Sequence, residues 1–118
     1  MKAVALTQFG GPEVLQVVDL PEPEPGPGEV RIRVQAVAVN PTDMTFRAGG
    51  RAAELAGRPA PYVPGMDVAG VVDKLGEDTD GRLTAGDRVI AYVIPFGPRG
   101  GTYTEQLVVS WRRPGSGG

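Results

Sequence analysis

The sequence predicts a small, mainly β domain, either a barrel or a sandwich, with very little helix. Short apolar segments alternate with turns, and the 18 glycines and 12 prolines among the 118 residues are spread between those segments. Residues 30–39 (VRIRVQAVAV) show the two-residue period of a strand with one buried face. A clear helix-start pattern occurs once, at Asn40. Many turns in a small β domain explain the glycine and proline content better than disorder does.

Six segments are predicted as strands because each is rich in apolar residues and is bounded by glycine, proline or polar turns. They are residues 2–8, 14–20, 30–39, 68–75, 88–94 and 102–110. Gly70 lies inside the fourth segment, which suggests a bulge or the close approach of another backbone. Residues 21–29 (PEPEPGPGE) are expected to form a stiff, extended connector, although their acidic residues would also suit an interaction tail.

The strand pattern in residues 30–39 changes along its length. One face carries Val30, Ile32, Val34, Ala36 and Ala38, and the other carries Arg31, Arg33 and Gln35. From Val37 onward both faces are apolar. We therefore expect this strand to enter from the surface and to finish buried, with Asn40 just past its buried end.

The residues that follow this strand predict a short helix. Asn40 is a favoured N-cap residue, Pro41 suits the first helical position and Asp43 suits the third, where its charge complements the helix dipole. Gly49 and Gly50 are expected to end the helix. Residues 51–61 read as a loop with at most one helical turn.

The composition excludes several kinds of chemistry. The chain has no cysteine and no histidine, which excludes disulfides, Cys/His zinc sites, and Ser-His-Asp or Cys-His catalysis. A net charge of −2 gives no basic field for nucleic acid. No apolar run approaches the roughly 20 residues that cross a bilayer, and the start of the chain lacks a signal-peptide core. We therefore expect neither a nucleic-acid nor a membrane partner, and a cytoplasmic location.

Several motifs in this order resemble a known family. They are GPEVL, PGPGEVRIRVQAVAVNPTD, PYVPGMDVAGVV, AGDRV and GGTYTEQLVV, within residues 1–110. The chain resembles the N-terminal, GroES-like domain of the medium-chain dehydrogenase/reductase superfamily, in its zinc-independent quinone oxidoreductase branch. The resemblance implies a partly open β-barrel with one or two short helices over residues 1–110. Residues 111–118 are then expected to be a disordered tail or a linker remnant.

The resemblance also bears on zinc and on the reaction. Zinc-dependent relatives place a catalytic cysteine at the position of Asn40 and a histidine at that of Met66, so no zinc is expected here. Enzymes of the quinone oxidoreductase branch deliver hydride from NADPH to a quinone or a conjugated carbonyl such as an enone. The equivalent asparagine lies beside the nicotinamide, where its amide can orient the carboxamide or polarise a substrate carbonyl.

The resemblance implies a cleft for substrate and cofactor lined by Asn40, Asp43, Phe46, Asp67 and Tyr92, with no certain catalytic residue. Asn40 also suits a helix N-cap, and each of the other four has an alternative interpretation. Asp43 suits the first turn of a helix better than a catalytic acid, and Phe46, where relatives often carry tyrosine, suits the core. Asp67 would bond nearby backbone or an arginine, and Tyr92 would be a buried tyrosine with one hydrogen-bonded hydroxyl.

The cofactor domain of the family has no counterpart in the sequence. The Gly-x-Gly pairs at residues 26–28 and 115–117 neither follow a buried strand nor open a helix, so neither is a dinucleotide fingerprint. We therefore expect this chain alone to bind NADPH poorly and to lack turnover. One alternative is a stand-alone β-barrel binding or scaffold module without catalysis. Another is a homo-oligomer formed through an apolar surface expected at Leu107, Val108, Val109 and Trp111.

Overall fold

The computed structural model describes residues 1–79, 81–97 and 99–111. Its strands are β1 (Lys2–Ala5), β2 (Gln16–Asp19), β3 (Glu29–Ala36), β4 (Asp67–Leu75), β5 (Arg88–Tyr92) and β6 (Gln106–Ser110). The helix α1 spans Pro41–Ala48, and short 3₁₀ turns span Pro12–Val14 and Ala52–Leu55. The predicted mainly β fold class is confirmed, including the short helix and the single helical turn after it.

The strands form two antiparallel sheets that make a partly open barrel. One contains β1 and β2, and the other has the order β5-β4-β3-β6. Isolated bridges from Ala3 to Thr104 and from Leu6 to Tyr62 tie the first sheet to the rest of the chain. Gly70 of β4 lies beside an irregularity in the β3–β4 register, and a side chain there would meet the Arg33 carbonyl oxygen at 2.3 Å. The expected bulge and close approach at Gly70 are both confirmed.

The core lies between the sheets and under α1. One buried cluster contains Leu6, Val14, Phe46 and Leu55, and a second contains Ala3, Ala5 and Val63. Strands β3, β4 and β6 bury Val30, Ile32, Val68, Val72, Leu107 and Val108. The expected exposure of Leu107 and Val108 is therefore wrong, because β6 pairs with β3 and the side chains on both of its faces are covered at these two positions.

The last described residue also contacts the barrel. Val109 and Trp111 are half-buried, so the expected apolar surface at the end of the chain is largely covered. The Trp111 N–H donates to the Gly28 carbonyl at 2.8 Å, and the Arg82 guanidinium lies over the indole. The remainder of the predicted tail, residues 112–118, lies outside the described residues.

The end of β3 differs from the sequence expectation. The strand ends at Ala36, and the next residues are exposed, Val37 by 37% and Val39 by 73%. The expectation of a buried end is wrong because β6 pairs only with Glu29–Arg33 and β4 pairs no further than Ala36. Beyond that point the backbone leaves the sheet to reach the start of α1. Asn40 therefore follows an exposed segment and is itself half-buried.

The bounds of α1 agree with the pattern that predicts them. Asn40 is the N-cap residue with extended backbone, Pro41 opens the helix, and Gly49 ends it with a left-handed φ of 94°. The Asp43 N–H donates to the Asn40 carbonyl at 2.9 Å, and the Asn40 N–H donates to the Asp43 carboxylate at 2.8 Å. Asn40 thus occupies the predicted N-cap position, and the bond from its N–H to the Asp43 carboxylate holds the start of the helix.

Candidate functional site

The Asp43 carboxylate joins three segments that are distant in sequence. The side chain is 6% exposed. One oxygen accepts the Asn40 N–H at 2.8 Å and the Tyr103 hydroxyl at 3.0 Å, and the other accepts the Gly65 N–H at 3.2 Å. A buried carboxylate is tolerated only when hydrogen bonds replace its water. Asp43 thus fixes the start of α1 against the loops that precede β4 and β6, in a structural role.

The hydrogen bond to Asp43 changes the acidity of its tyrosine partner. Burial raises the pKa of Tyr103 above its ordinary value of 10.0, and the nearby Asp43 carboxylate raises it further. Both causes disfavour the phenolate, because a negative charge there would be desolvated and close to a carboxylate. Tyr103 therefore remains a hydrogen-bond donor at neutral pH.

Glycine is required at position 65 for this arrangement. Its φ of 104° lies in the left-handed region, and a side chain would meet the buried Thr102 hydroxyl at 2.3 Å. The close approach allows the Tyr103 N–H to donate to the Pro64 carbonyl at 3.1 Å. The motif PGMD thus places Gly65 against one side of the barrel and Asp67 at the start of β4.

Asp67 positions the side chain of Asn40. One Asp67 carboxylate oxygen accepts the Ala38 N–H at 3.2 Å, and the other accepts the Asn40 side-chain amide at 3.4 Å. The expected bonding of Asp67 to nearby backbone is confirmed. The contact uses one hydrogen of the Asn40 amide, and the nitrogen carries a second. Asp67 therefore orients the amide of a half-buried residue.

Tyr92 lies next to Asp67 on the neighbouring strand. The two residues are directly opposite in the β4–β5 register, so their side chains project from the same face. The Tyr92 side chain is 66% exposed, and its hydroxyl is 4.0 Å from the Met66 sulfur. The expectation of a buried Tyr92 is wrong because β5 is an edge strand. Asn40, Asp67 and Tyr92 therefore form a continuous row, which we call the amide row.

Phe46 lies apart from the amide row. Its side chain is 2% exposed and packs in the cluster of Leu6, Val14 and Leu55. The ring centroid is 6.1 Å from that of Phe96 in a stacked arrangement. This placement agrees with the core-packing interpretation of Phe46. A cleft contact by Phe46 stays a prediction, as it does for the buried Asp43.

Sequence reasoning missed two residues of this region. Tyr103 reads only as part of a strand, yet it donates to Asp43, 60 positions earlier. Met66 reads as the position of a histidine in zinc-dependent relatives, yet its carbonyl accepts the Val93 N–H at 2.6 Å and its sulfur faces Tyr92. Neither residue carries a local pattern that indicates its partner.

The chemistry of the region is that of amide, phenol and carboxylate groups. Asn40 offers an oriented amide N–H, Tyr92 offers an exposed aromatic face, and Asp67 offers a carboxylate that holds the amide. Across residues 1–79, 81–97 and 99–111, no three His, Cys, Asp or Glu side chains are grouped as metal ligands would be. In the same residues no helix is long and apolar enough to cross a membrane.

Comparisons with known proteins agree with this architecture. Residues 26–114 match the family described as the alcohol dehydrogenase GroES-like domain. The chain is 39% identical over 97 residues to a quinone oxidoreductase of Mus musculus, across 78% of this chain and 27% of that protein. It thus spans about a quarter of the length of this curated relative.

Solved structures give the same result. The quinone oxidoreductase of Coxiella burnetii superposes with a TM-score of 0.83 at 35% identity, over 93% of this chain and 34% of that one. The Escherichia coli quinone oxidoreductase complexed with NADPH superposes with a TM-score of 0.77 at 27% identity, over 93% of this chain and 31% of that one. This chain belongs to the alcohol dehydrogenase GroES-like domain family, as an N-terminal domain of the quinone oxidoreductase type in the medium-chain dehydrogenase/reductase superfamily.

Proposed function

We propose that this chain is the substrate-side domain of an NADPH-dependent oxidoreductase that reduces a quinone or an enone in the cytoplasm. The amide row would form one wall of the cleft between this domain and a cofactor-binding domain. The observation that carries the proposal is the Asn40 amide, held by Asp67 beside the exposed ring of Tyr92. The similarity to quinone oxidoreductases supports it, including the E. coli enzyme whose structure contains NADPH.

The amide row fits the nicotinamide end of NADPH. An oriented amide N–H suits the carboxamide oxygen or a substrate carbonyl, and an aromatic face suits a planar ring. The nearby carboxylates of Asp43 and Asp67 suit neutral and cationic rings but repel phosphate. NADPH would supply the hydride, and the amide of Asn40 would orient the acceptor carbonyl.

The described residues do not fit the phosphate end of the cofactor. Gly26 and Gly28 lead into β3 instead of a helix, so they are no phosphate loop. The first turn of α1 already holds the Asp43 carboxylate, which occupies the place an anion would take. The pyrophosphate and adenosine would therefore depend on a second domain. We expect weak NADPH binding and no turnover by this chain alone.

The test is a titration of the 118-residue chain followed by two-dimensional amide NMR. Reduced nicotinamide mononucleotide is compared with 2′,5′-ADP, which carries the other half of NADPH. We expect millimolar mononucleotide to shift the Asn40, Asp67 and Tyr92 resonances, with Leu55 and Val72 of the core as internal controls. Equal shifts with 2′,5′-ADP, or none with the mononucleotide, would contradict the proposed cleft.

The expected lack of turnover has its own test. The chain is mixed with NADPH and a soluble quinone, and the loss of NADPH absorbance is compared with a protein-free reaction. We expect the two rates to agree, because the described residues hold only one wall of the site. A rate of about 1 to 1000 per second would be that of an ordinary enzyme and would contradict this expectation.

A second candidate is a stand-alone β-barrel binding or scaffold module without catalysis. The completeness of the Asp43 network favours it, since all three donors to that carboxylate come from the chain itself. The domain would then need no cofactor to order its polar loops. An absence of shifts with every nucleotide tested would favour this candidate over the oxidoreductase domain.

A further inference from the structure

Strand β5 lies at an edge of the larger sheet and carries an exposed apolar row. Its neighbour on one side is β4, and among residues 1–79, 81–97 and 99–111 no strand pairs with its other side. Ile90 is 85% exposed, Tyr92 is 66% exposed, and Ile94, just beyond the strand, is 55% exposed. Large apolar side chains that project together from an edge strand mark a surface for association.

The backbone N–H and C=O groups of alternate β5 residues point away from β4, toward the open edge of the sheet. The Val93 N–H donates to the Met66 carbonyl, and the Val72 N–H donates to the Asp87 carbonyl. In an antiparallel pair the residues that bond to the neighbour alternate with residues that point outward. Because positions 87 and 93 bond to the β4 side, Arg88, Ile90 and Tyr92 direct their N–H and C=O groups to the open edge.

Strand β5 lacks the usual devices that prevent edge pairing. Natural edge strands are protected by proline, lysine, inward charges or bulges. The sequence RVIAY contains no proline and no lysine, and its pairing to β4 runs without a register shift from Arg88 to Tyr92. The single charge, on Arg88, lies at one end. None of these devices therefore blocks pairing along Arg88–Tyr92.

We infer that the β5 edge binds the β5 edge of a second copy of this chain, antiparallel, with Ile90 opposite Ile90. This register places Arg88 of each copy opposite Tyr92 of the other. Each Ile90 then exchanges both backbone hydrogen bonds with its counterpart, and Arg88 does the same with Tyr92. The result is one continuous sheet through both copies. This inference does not rest on the proposed function.

The order of the side chains along β5 favours pairing with a second copy of the chain, in the register that places Ile90 opposite Ile90. A guanidinium opposite a tyrosine ring gives a cation–π contact at each end, while the two Ile90 side chains meet at the centre. A shift of two residues in either direction places Ile90 opposite Arg88 or opposite Tyr92 and loses the contact between the two Ile90 side chains. A shift of four residues places Arg88 opposite Arg88, where the like charges repel, or Tyr92 opposite Tyr92, which leaves both Arg88 side chains without a ring. The sequence is thus self-complementary about Ile90.

The first experiment measures association in solution. Sedimentation equilibrium over a concentration series is applied to the wild-type chain, to Ile90→Lys and to Val17→Lys. Val17 is a matched control because it is 68% exposed on β2, which belongs to the other sheet. We expect a dimer for the wild type and for Val17→Lys, and a dissociation constant raised about tenfold or more by Ile90→Lys.

The second experiment maps the register with single cysteines, since the native chain has none. Under mild oxidation Ile90→Cys is expected to form a disulfide-linked dimer, because Cα atoms of a bonded pair lie about 5.5 Å apart, within disulfide reach. An equal mixture of Arg88→Cys and Tyr92→Cys is expected to cross-link more than either variant alone. Val17→Cys is the control and is expected to form no disulfide-linked dimer.

The outcomes separate this inference from its alternatives. A wild-type chain that stays monomeric at every concentration overturns the inference. The β5 edge would then be available only to a strand from another protein. A dimer weakened by Val17→Lys but not by Ile90→Lys also overturns it, because association would then use another face. If Ile90→Lys fails to fold, the cysteine cross-links decide the result in the wild-type fold.

Discussion

The Asp43 network and the β5 edge differ in how their polar groups are hydrogen-bonded. Around Asp43, a carboxylate 6% exposed accepts three hydrogen bonds from segments that are distant in sequence. Along β5, the backbone groups of Ile90 point to an open edge, and its side chain is 85% exposed. The polar groups around Asp43 form hydrogen bonds with one another, whereas the outward backbone groups of Ile90 are left to bond with water.

This difference shows where the structure is fixed and where it can change partners. A buried polar group without a partner costs about 1–3 kcal/mol, so the Asp43 network admits a single arrangement. An exposed backbone group exchanges water for a partner at little net cost, so the β5 edge can bind or remain free. The amide row lies between the two regions, with Asn40 tied to the network and Tyr92 on the edge strand.

The largest effect is expected for Asp43→Ala. It leaves the N–H groups of Asn40 and Gly65 and the hydroxyl of Tyr103 without their acceptor. We expect a loss of about 3–5 kcal/mol in the free energy of unfolding, measured by urea denaturation followed by circular dichroism.

Asp43→Asn is the matched variant, to be used if the Asp43→Ala variant does not fold. An amide has one acceptor oxygen where the carboxylate has two, so one donor must face the NH₂ group. We expect this variant to lose about 1–3 kcal/mol. If both variants unfold like the wild type, the polar network does not hold the loops together.

A smaller effect is expected for Tyr103→Phe, which removes one donor to Asp43. We expect a loss of about 1–3 kcal/mol near neutral pH, because the carboxylate retains the Asn40 and Gly65 donors. The raised pKa of Tyr103 adds a pH dependence. Its stabilising contribution is complete below pH 10.0, the ordinary tyrosine value, and is lost as pH rises toward the higher pKa of the folded state.

The pH dependence is measured as the difference in unfolding free energy between wild type and Tyr103→Phe. The difference should be constant up to about pH 9 and shrink above pH 10. Tyr62→Phe is the matched control, since the Tyr62 hydroxyl donates to the Arg58 carbonyl and not to a carboxylate. A difference that grows at alkaline pH would contradict the assignment of the Asp43 contact.

How far the sequence predicts the structure depends on the range of the interactions. The start and end of α1 are predicted because the N-cap, Pro41 and Gly49 act within a few residues. The Tyr103–Asp43 bond is not predicted, because it joins positions 60 apart. The exposure of Tyr92 is also missed, since alternation within a strand does not show whether that strand lies at an edge.

The same reason explains the error at the end of β3. Residues 36–39 are small and apolar, which favours a buried strand, but burial requires neighbouring strands of matching length. Strand β6 stops pairing at Arg33 and β4 at Ala36, so Val39 is left exposed. The prediction that Asn40 lines a cleft rests on the family resemblance. Its contact with Asp67 became visible only in the folded chain.

The smallest effect on stability, and the sharpest test of Asn40, is expected for Asn40→Ser. Serine is as good an N-cap as asparagine, so we expect the free energy of unfolding to change by less than about 0.5 kcal/mol. Serine cannot reach Asp67 with an amide, so the NMR shifts caused by reduced nicotinamide mononucleotide at Asp67 and Tyr92 should disappear. Asn40→Ala should lose both properties, with a cost of about 1 kcal/mol from the missing cap. If the serine variant keeps the shifts, Asn40 serves only to start α1, and the amide row is no part of a nicotinamide cleft.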